Sequence, residues 1–351
     1  MMQHLATASG VRFRKMRVIL SDVLTYVVLG LWTIVCLFPL YWVAVTSLKG
    51  EPEIMQGPFF LPFVDFTPSG IAWRYILDPV NDQLPMRFFN STLIGLASTL
   101  LTVLIGGLAV YGLTRFRYTV AWMGFLLILL AVALASCVFV VSAVGLQVFF
   151  AAAVGLLLLM AAGFKDHGPA LRNGGILVAM LATRILPPVV VVLPIYTMAQ
   201  HMGLLDTRLV LILTYTASNL PIAVWLLVPV FGKTATDQEE AAQLDGASHI
   251  EIFFTILLPM VAASVSAVGL LVFILCWNEY LFAAYLSSTS TMTLPPWVMG
   301  QMSIKEAQVG GDGQEWAQLS AAIIFMVVPV LACIALAQRF LRRTFLWGRL
   351  L

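Results

Sequence analysis

Apolar runs too long for any soluble fold to cover dominate this chain. They lie near 18–46, 89–113, 119–141, 142–163, 175–200, 209–231, 260–287 and 318–341, and a helix crossing a bilayer needs roughly 20 such residues. The reading is therefore an all-α polytopic membrane protein of about eight helices. Closed barrels are excluded, because their strands are only about 10 residues long. Composition agrees: with 61% hydrophobic and 10% charged residues over 351 positions, and a mean hydropathy of +0.97, there is too little polar surface for a globule of this size.

The charges orient the spans. Arg12, Arg14, Lys15 and Arg17 precede the first run, Arg115 and Arg117 follow the second, and Lys165, Arg172, Lys233, Arg339, Arg342, Arg343 and Arg349 fall on the same side. Only Lys49, Arg74, Arg87, Arg208 and Lys305 fall opposite. Positive residues gather on the cytoplasmic side, so both termini are expected there, with residues 1–17 and 342–351 as cytoplasmic ends of a permease domain over 18–341. The first run is too long for a signal peptide and is read as a retained span. The basic residues are dispersed over many loops, which gives no footprint for nucleic acid. Cys36, Cys137, Cys276 and Cys333 lie one to a span, away from metal-ligand spacing, and are read as core.

This topology leaves two outer stretches, 47–88 and 288–317, expected to be irregular connections, and one long inner loop, 232–259. From Lys233 that loop reads "KTATDQEEAAQLDGASHIEIFFTILLP". Asp237 and the acids after it favour a short helix, with Asp237 as its cap. Ala241 and Ala242 offer low relief, Gly246 permits a sharp turn, and a second helix begins at His249 and passes Pro259 into the next span. Two short helices at an angle make a knob suited to a docked partner.

Glu240-Ala241-Ala242, then Gly246, Ile256 and Leu258-Pro259, resembles the EAA signature of binding-protein-dependent ABC importer permeases. The likeness extends over "NSTLIGLAS", "YGLTRFRY", "GLLDT", "NLP", "WNEYLFAAYLSS" and "TLPPWV". Within these permeases the chain is similar to the carbohydrate, maltose-type subunit that lacks a large periplasmic insert. The resemblance implies a type I ABC importer bundle, with Glu240, Ala241, Ala242, Gly246, Leu258 and Pro259 coupling it to an ATPase. The implied partners are a second permease, two ATP-binding subunits, an extracytoplasmic solute-binding protein and membrane lipid, in an inner cytoplasmic membrane. Relatives usually have six spans here, so 119–173 resembles an inserted hairpin, expected to face lipid. The "RRTFLWGRLL" end departs from the glycine-rich tail of many relatives.

Polar groups inside spans are costly and mark interior passages. Arg184, Asn219, Trp277, Asn278, Glu279 and Tyr280 are the candidates for a translocation path, set against the alternative that they satisfy one another or the backbone around Pro187, Pro188 and Pro221. The chain has no GxxxxGK[ST] loop, so it is read as a transport subunit without its own ATPase site or cofactor, ATP being bound by partners. Rival readings are an ion-gradient transporter, which should show paired repeats and buried carboxylates, an importer of a non-sugar solute, and a membrane scaffold. No residue selects the cargo.

Overall fold

The computed structural model describes residues 2–78, 84–116, 119–121, 170–185, 187–232, 236–303 and 314–347. In chain order the elements are α1 (Met2–Thr46), α2 (Glu51–Met55), α3 (Ile71–Leu77), α4 (Leu84–Arg115), β1 (Thr119–Ala121), β2 (Ala170–Arg172), α5 (Asn173–Ala182), α6 (Pro188–His201), α7 (Arg208–Phe231), α8 (Thr236–Leu244), α9 (His249–Ile252), α10 (Leu258–Trp277), α11 (Leu281–Leu286), α12 (Leu294–Ser303) and α13 (Gln314–Trp347). Among the described residues, five helical stretches are long and apolar enough to cross a membrane: Leu20–Thr46, Leu84–Arg115, Arg208–Phe231, His249–Trp277 and Glu315–Ala335. A sixth crossing is obtained if Asn173–Ile185 and Pro188–His201 form one broken span.

Three expectations change. The span at 175–200 is two helices bent by 87°, because the Pro187-Pro188 pair removes two amide donors and biases the residue before it out of the helical region. The span expected over 260–287 starts earlier, at His249, and stops at Trp277, where Asn278 Nδ2 donates to Ile274 O and satisfies one terminal carbonyl. The outer stretches are not wholly irregular, since 47–88 holds α2 and α3 and 288–317 holds α12. Apart from 119–121, the spans expected at 119–141 and 142–163 lie outside the described residues, as do residues 304–313. What brackets the first pair is a short antiparallel ladder, Thr119 opposite Arg172 and Ala121 opposite Ala170. It is the one departure from an all-α fold among the described elements.

Two compact units are present. The first comprises 1–82 with 301–325, and the second 83–300 with 326–351. In the first, Asp65 accepts the amides of Phe60 and Leu61, and these bonds hold its carboxyl below the usual carboxylate range. Lys49 is buried with its ammonium 4.3 Å from the Trp42 ring centre. Desolvation lowers its pKa, and the Asp65 charge opposes that effect.

The second unit is built around α4, α7 and α10. α4 and α7 run parallel, with Ser98 bonded to Ile212 O near one end and Arg115 to Phe231 O at the other. α10 runs antiparallel to α4. Small residues allow the approach: a Cβ on Gly95 would lie 3.1 Å from Phe273, one on Gly106 3.6 Å from the Ala223 Cβ, and one on Gly107 3.3 Å from Phe253. In lipid, where apolar burial drives little association, such close packing holds helices together. The resulting core includes Ile94, Val110, Leu211, Tyr215, Leu227, Phe253, Leu257 and Val272.

Candidate functional site

At the end of the second unit where α4 and α7 finish, residues 236–259 form a turn of helices. α8 starts at Thr236, so Asp237 lies in its first turn and not at its cap, and with Glu239 it places acids where the helix dipole favours them. The chain then reverses at Gly246, whose φ of +88° is a conformation that a residue with a Cβ resists. Ser248 caps α9 by accepting the amide of Glu251. A π-helical turn, Phe253–Leu257, joins α9 to α10. There the Leu258 amide reaches back to Phe253 O, which accommodates Pro259, a residue with no amide to offer Thr255.

The adjacent glutamates of α8 differ in exposure. Glu240 and Ala241 are exposed, as are Gly246 and Pro259, while Ala242 and Leu258 are half-buried. Glu239 is 3% exposed and receives two hydrogen bonds from Arg115, from Nε at 2.7 Å and from Nη2. Arg115 Nη2 also donates to the carbonyl of Phe231 at 3.3 Å. Nearby, the Tyr111 hydroxyl and His249 Nδ1 are hydrogen-bonded at 3.2 Å, Phe116 meets the His249 ring edge to face, and Phe253 packs on Tyr111 and Phe231. Sequence reasoning counted Arg115 only as an orienting charge and passed over Glu239. The signal was present, a second carboxylate one helical step from Glu240, but its partner lies on another helix.

A cavity of about 590 Å³ opens between the turn Thr183–Ile185 that follows α5, and α6, α7 and α11, lined by Thr183, Arg184, Pro188, Thr214, Ser218, Pro221, Glu279 and Phe282 among others. Two interruptions of helix meet there, the 87° bend after Ile185 and the break between Trp277 and Leu281, and Pro221 faces them from within the continuous α7. Arg184 sits in the bend and its Nη1 donates to Ser218 O at 2.9 Å. Glu279 sits in the break, where its Oε1 accepts the Phe282 amide at 3.2 Å.

The other path candidates lie elsewhere. Asn219 is buried, with Nδ2 donating to Tyr215 O and Cys276 Sγ. Trp277 is buried against Phe88 and Phe273, with its indole donating to Met326 O. Asn278 caps α10, and Tyr280 is exposed beyond it. The structure thus brings Arg184 and Glu279 to one cavity and gives Asn219, Trp277 and Asn278 partners within the bundle.

At the opposite end of the unit Asp206 gathers the segment after α11. Its carboxylate accepts the amides of Ser288 and Thr291 and the hydroxyls of Ser290 and Thr291. Partial burial acts to raise its pKa, but the bonds from Thr291, Ser288 and Ser290 prevail and hold it well below the usual carboxylate range. Asn90 completes the junction, donating to Ser290 O and Met292 O and accepting from Arg208 Nε.

The described residues form a bundle of apolar helices of membrane-crossing length, with a sharply bent helix pair and a helical turn at one end. Residues 156–346, more than half of the chain, match the profile of the family described as binding-protein-dependent transport system inner membrane component, and the chain belongs to that family. It is 27% identical to the diacetylchitobiose uptake system permease protein NgcG of Streptomyces coelicolor, covering 90% of this chain and 84% of the relative. It is 24% identical to the trehalose/maltose transport system permease protein MalG of Thermococcus litoralis, covering 92% and 94%. A crystal structure of a bacterial ABC transporter involved in the import of the acidic polysaccharide alginate has a chain with the same fold, at a TM-score of 0.57 and 17% identity over 91% of this chain and 95% of that one. The fold is that of an importer permease, and the chain is an inner-membrane component that works with an ATPase and a binding protein.

Proposed function

We propose that the chain is the permease subunit of an ATP-driven importer for a carbohydrate delivered by a solute-binding protein, paired with a second permease and two ATP-binding subunits. One observation carries the coupling role: α8 projects Glu240 and Ala241 outward while Glu239 ties the same helix to the ends of two membrane spans. In this reading α8 and the Gly246 turn dock on an ATP-binding subunit, and Leu258-Pro259 carry the movement into α10. With the basic ends inside, this docking face and both termini are cytoplasmic. ATP-driven closure of the ATPases opens the passage outward to receive solute, and hydrolysis resets it inward. The cavity holding Arg184 and Glu279 is this subunit's share of the passage. The sugar class is supported by the relatives' cargoes, diacetylchitobiose and trehalose or maltose. An ion-gradient mechanism is not favoured, because the described spans supply Glu279 to the cavity but no second carboxylate beside it.

Co-purification tests the assembly. The tagged chain brings down an ATP-binding subunit, and Gly246→Trp or Glu240→Lys lowers uptake of a radiolabelled disaccharide at least tenfold in cells carrying the full operon. Recovery of the chain without an ATPase, together with unchanged uptake by both variants, overturns the reading.

A further inference from the structure

We infer that Arg115 and Glu239 form a positioning joint through which movement of α8 reaches the ends of α4 and α7. Three elements meet on one guanidinium: Arg115 is the last residue of α4, it holds the carboxylate of Glu239 on α8 with two donors, and a third contact runs to the carbonyl of the last residue of α7, Phe231. A planar, forked donor fixes direction as well as distance, which a lysine's point charge does not. Both charges are largely withdrawn from solvent, with side-chain exposures of 14% for Arg115 and 5% for Glu239, so water cannot easily substitute for either partner.

The joint is stiffened on its far side. Phe253 lies against Tyr111 and Phe231, over the space left by Gly107, and His249 is held by Tyr111 and Phe116. The start of α9 is therefore anchored to α4 as α8 is. Successive residues on an α-helix point about 100° apart, so Glu239 and Glu240 divide the labour of one helix: the second meets the partner, and the first ties the helix to the bundle. Neither Arg115 nor Glu239 lines the cavity. They act through the helices they join and have no need to touch the transported molecule.

This inference rests on the importer reading, and its test keeps the two apart. Hydrogen exchange is followed by mass spectrometry in the purified complex of the full chain with its ATPase subunits, with and without ATP plus vanadate. In the wild type, nucleotide slows exchange in 236–244, 106–116 and 224–232. In Glu239→Gln, which keeps the side-chain shape, and in Arg115→Ala, the ATPase still co-purifies and 236–244 still responds, while the response in 106–116 and 224–232 falls at least threefold. The reversed pair, Arg115→Glu with Glu239→Arg, recovers part of it. A wild-type response in all three segments of both single variants overturns the joint, and so does a loss of the 236–244 response, which would mark the pair as supporting docking alone. If the wild-type chain carries no ATPase, the importer reading fails and the joint falls with it.

Discussion

A single φ separates Gly246 from the alanines before it, and a single helical step separates Glu239 from Glu240. The turn at Gly246 was legible in the sequence, because glycine between two helix-forming stretches has few other uses. The inward face of Glu239 was not, since nothing in "QEEAA" says which carboxylate meets an arginine located 124 positions away in the sequence. Asp206 was equally silent: "GLLDT" reads as a polar connection until the loop at 288–291 folds over it. Its carboxyl is held below the ordinary range, so the sign is fixed. The native state binds its proton more weakly than the unfolded chain, and the stabilisation is fully present above the ordinary carboxylate pKa of about 4. It is lost as pH falls through the depressed native value. Thermal unfolding of the wild type and Asp206→Asn should therefore differ by a few degrees from pH 7 to about 5, with the gap shrinking below about pH 4. A gap that stays constant to pH 3 would remove the carboxylate from this role.

At the level of elements, α4, α7 and α10 show why hydropathy finds spans but not their packing. Each is apolar around most of its circumference, and lipid is as apolar as a neighbouring helix, so the face that meets protein is chosen by shape. Gly95, Gly106 and Gly107 make that face on α4, and none of them differs in hydropathic terms from the glycines that meet nothing. Gly107→Val places bulk where a Cβ alone would already lie 3.3 Å from Phe253. Overpacking of that kind costs about 1–3 kcal/mol. Thermal unfolding in detergent should show the loss, and Phe253→Leu in the same chain should recover part of it by making room. Recovery by Phe273→Leu instead would mean that the register of α10 against α4 is different.

For the molecule as a whole, the ladder of β1 and β2 gives the segment between them a defined entry and exit. Ala121 stands opposite Ala170, a separation that a two-residue Asn-Gly turn spans. Asn173 binds the neighbouring end of α4 by donating to Leu113 O and Phe116 O, so the stem is anchored without the segment it encloses. Replacing 122–169 by Asn-Gly should leave a protein that inserts in the membrane, purifies as one species and unfolds within a few degrees of the parent. Aggregation, or loss of the hydrogen-exchange protection of α4 and α7, would show that the bundle depends on that segment. The sequence by itself determined that this is a helical membrane protein, where most of its described spans lie to within a few residues or a turn or two, though the span expected over 260–287 starts at His249 and ends at Trp277, and which loop resembles the family's coupling element, because long apolar runs and a glycine turn between short helices are local properties. Only the tertiary structure decided that the span near 175–200 is broken, that Arg184 and Glu279 share a cavity while Asn219 and Trp277 do not line it, and that Arg115 is a clamp. Those outcomes depend on which helix faces meet, and a one-dimensional hydropathy pattern does not carry helix phase between elements.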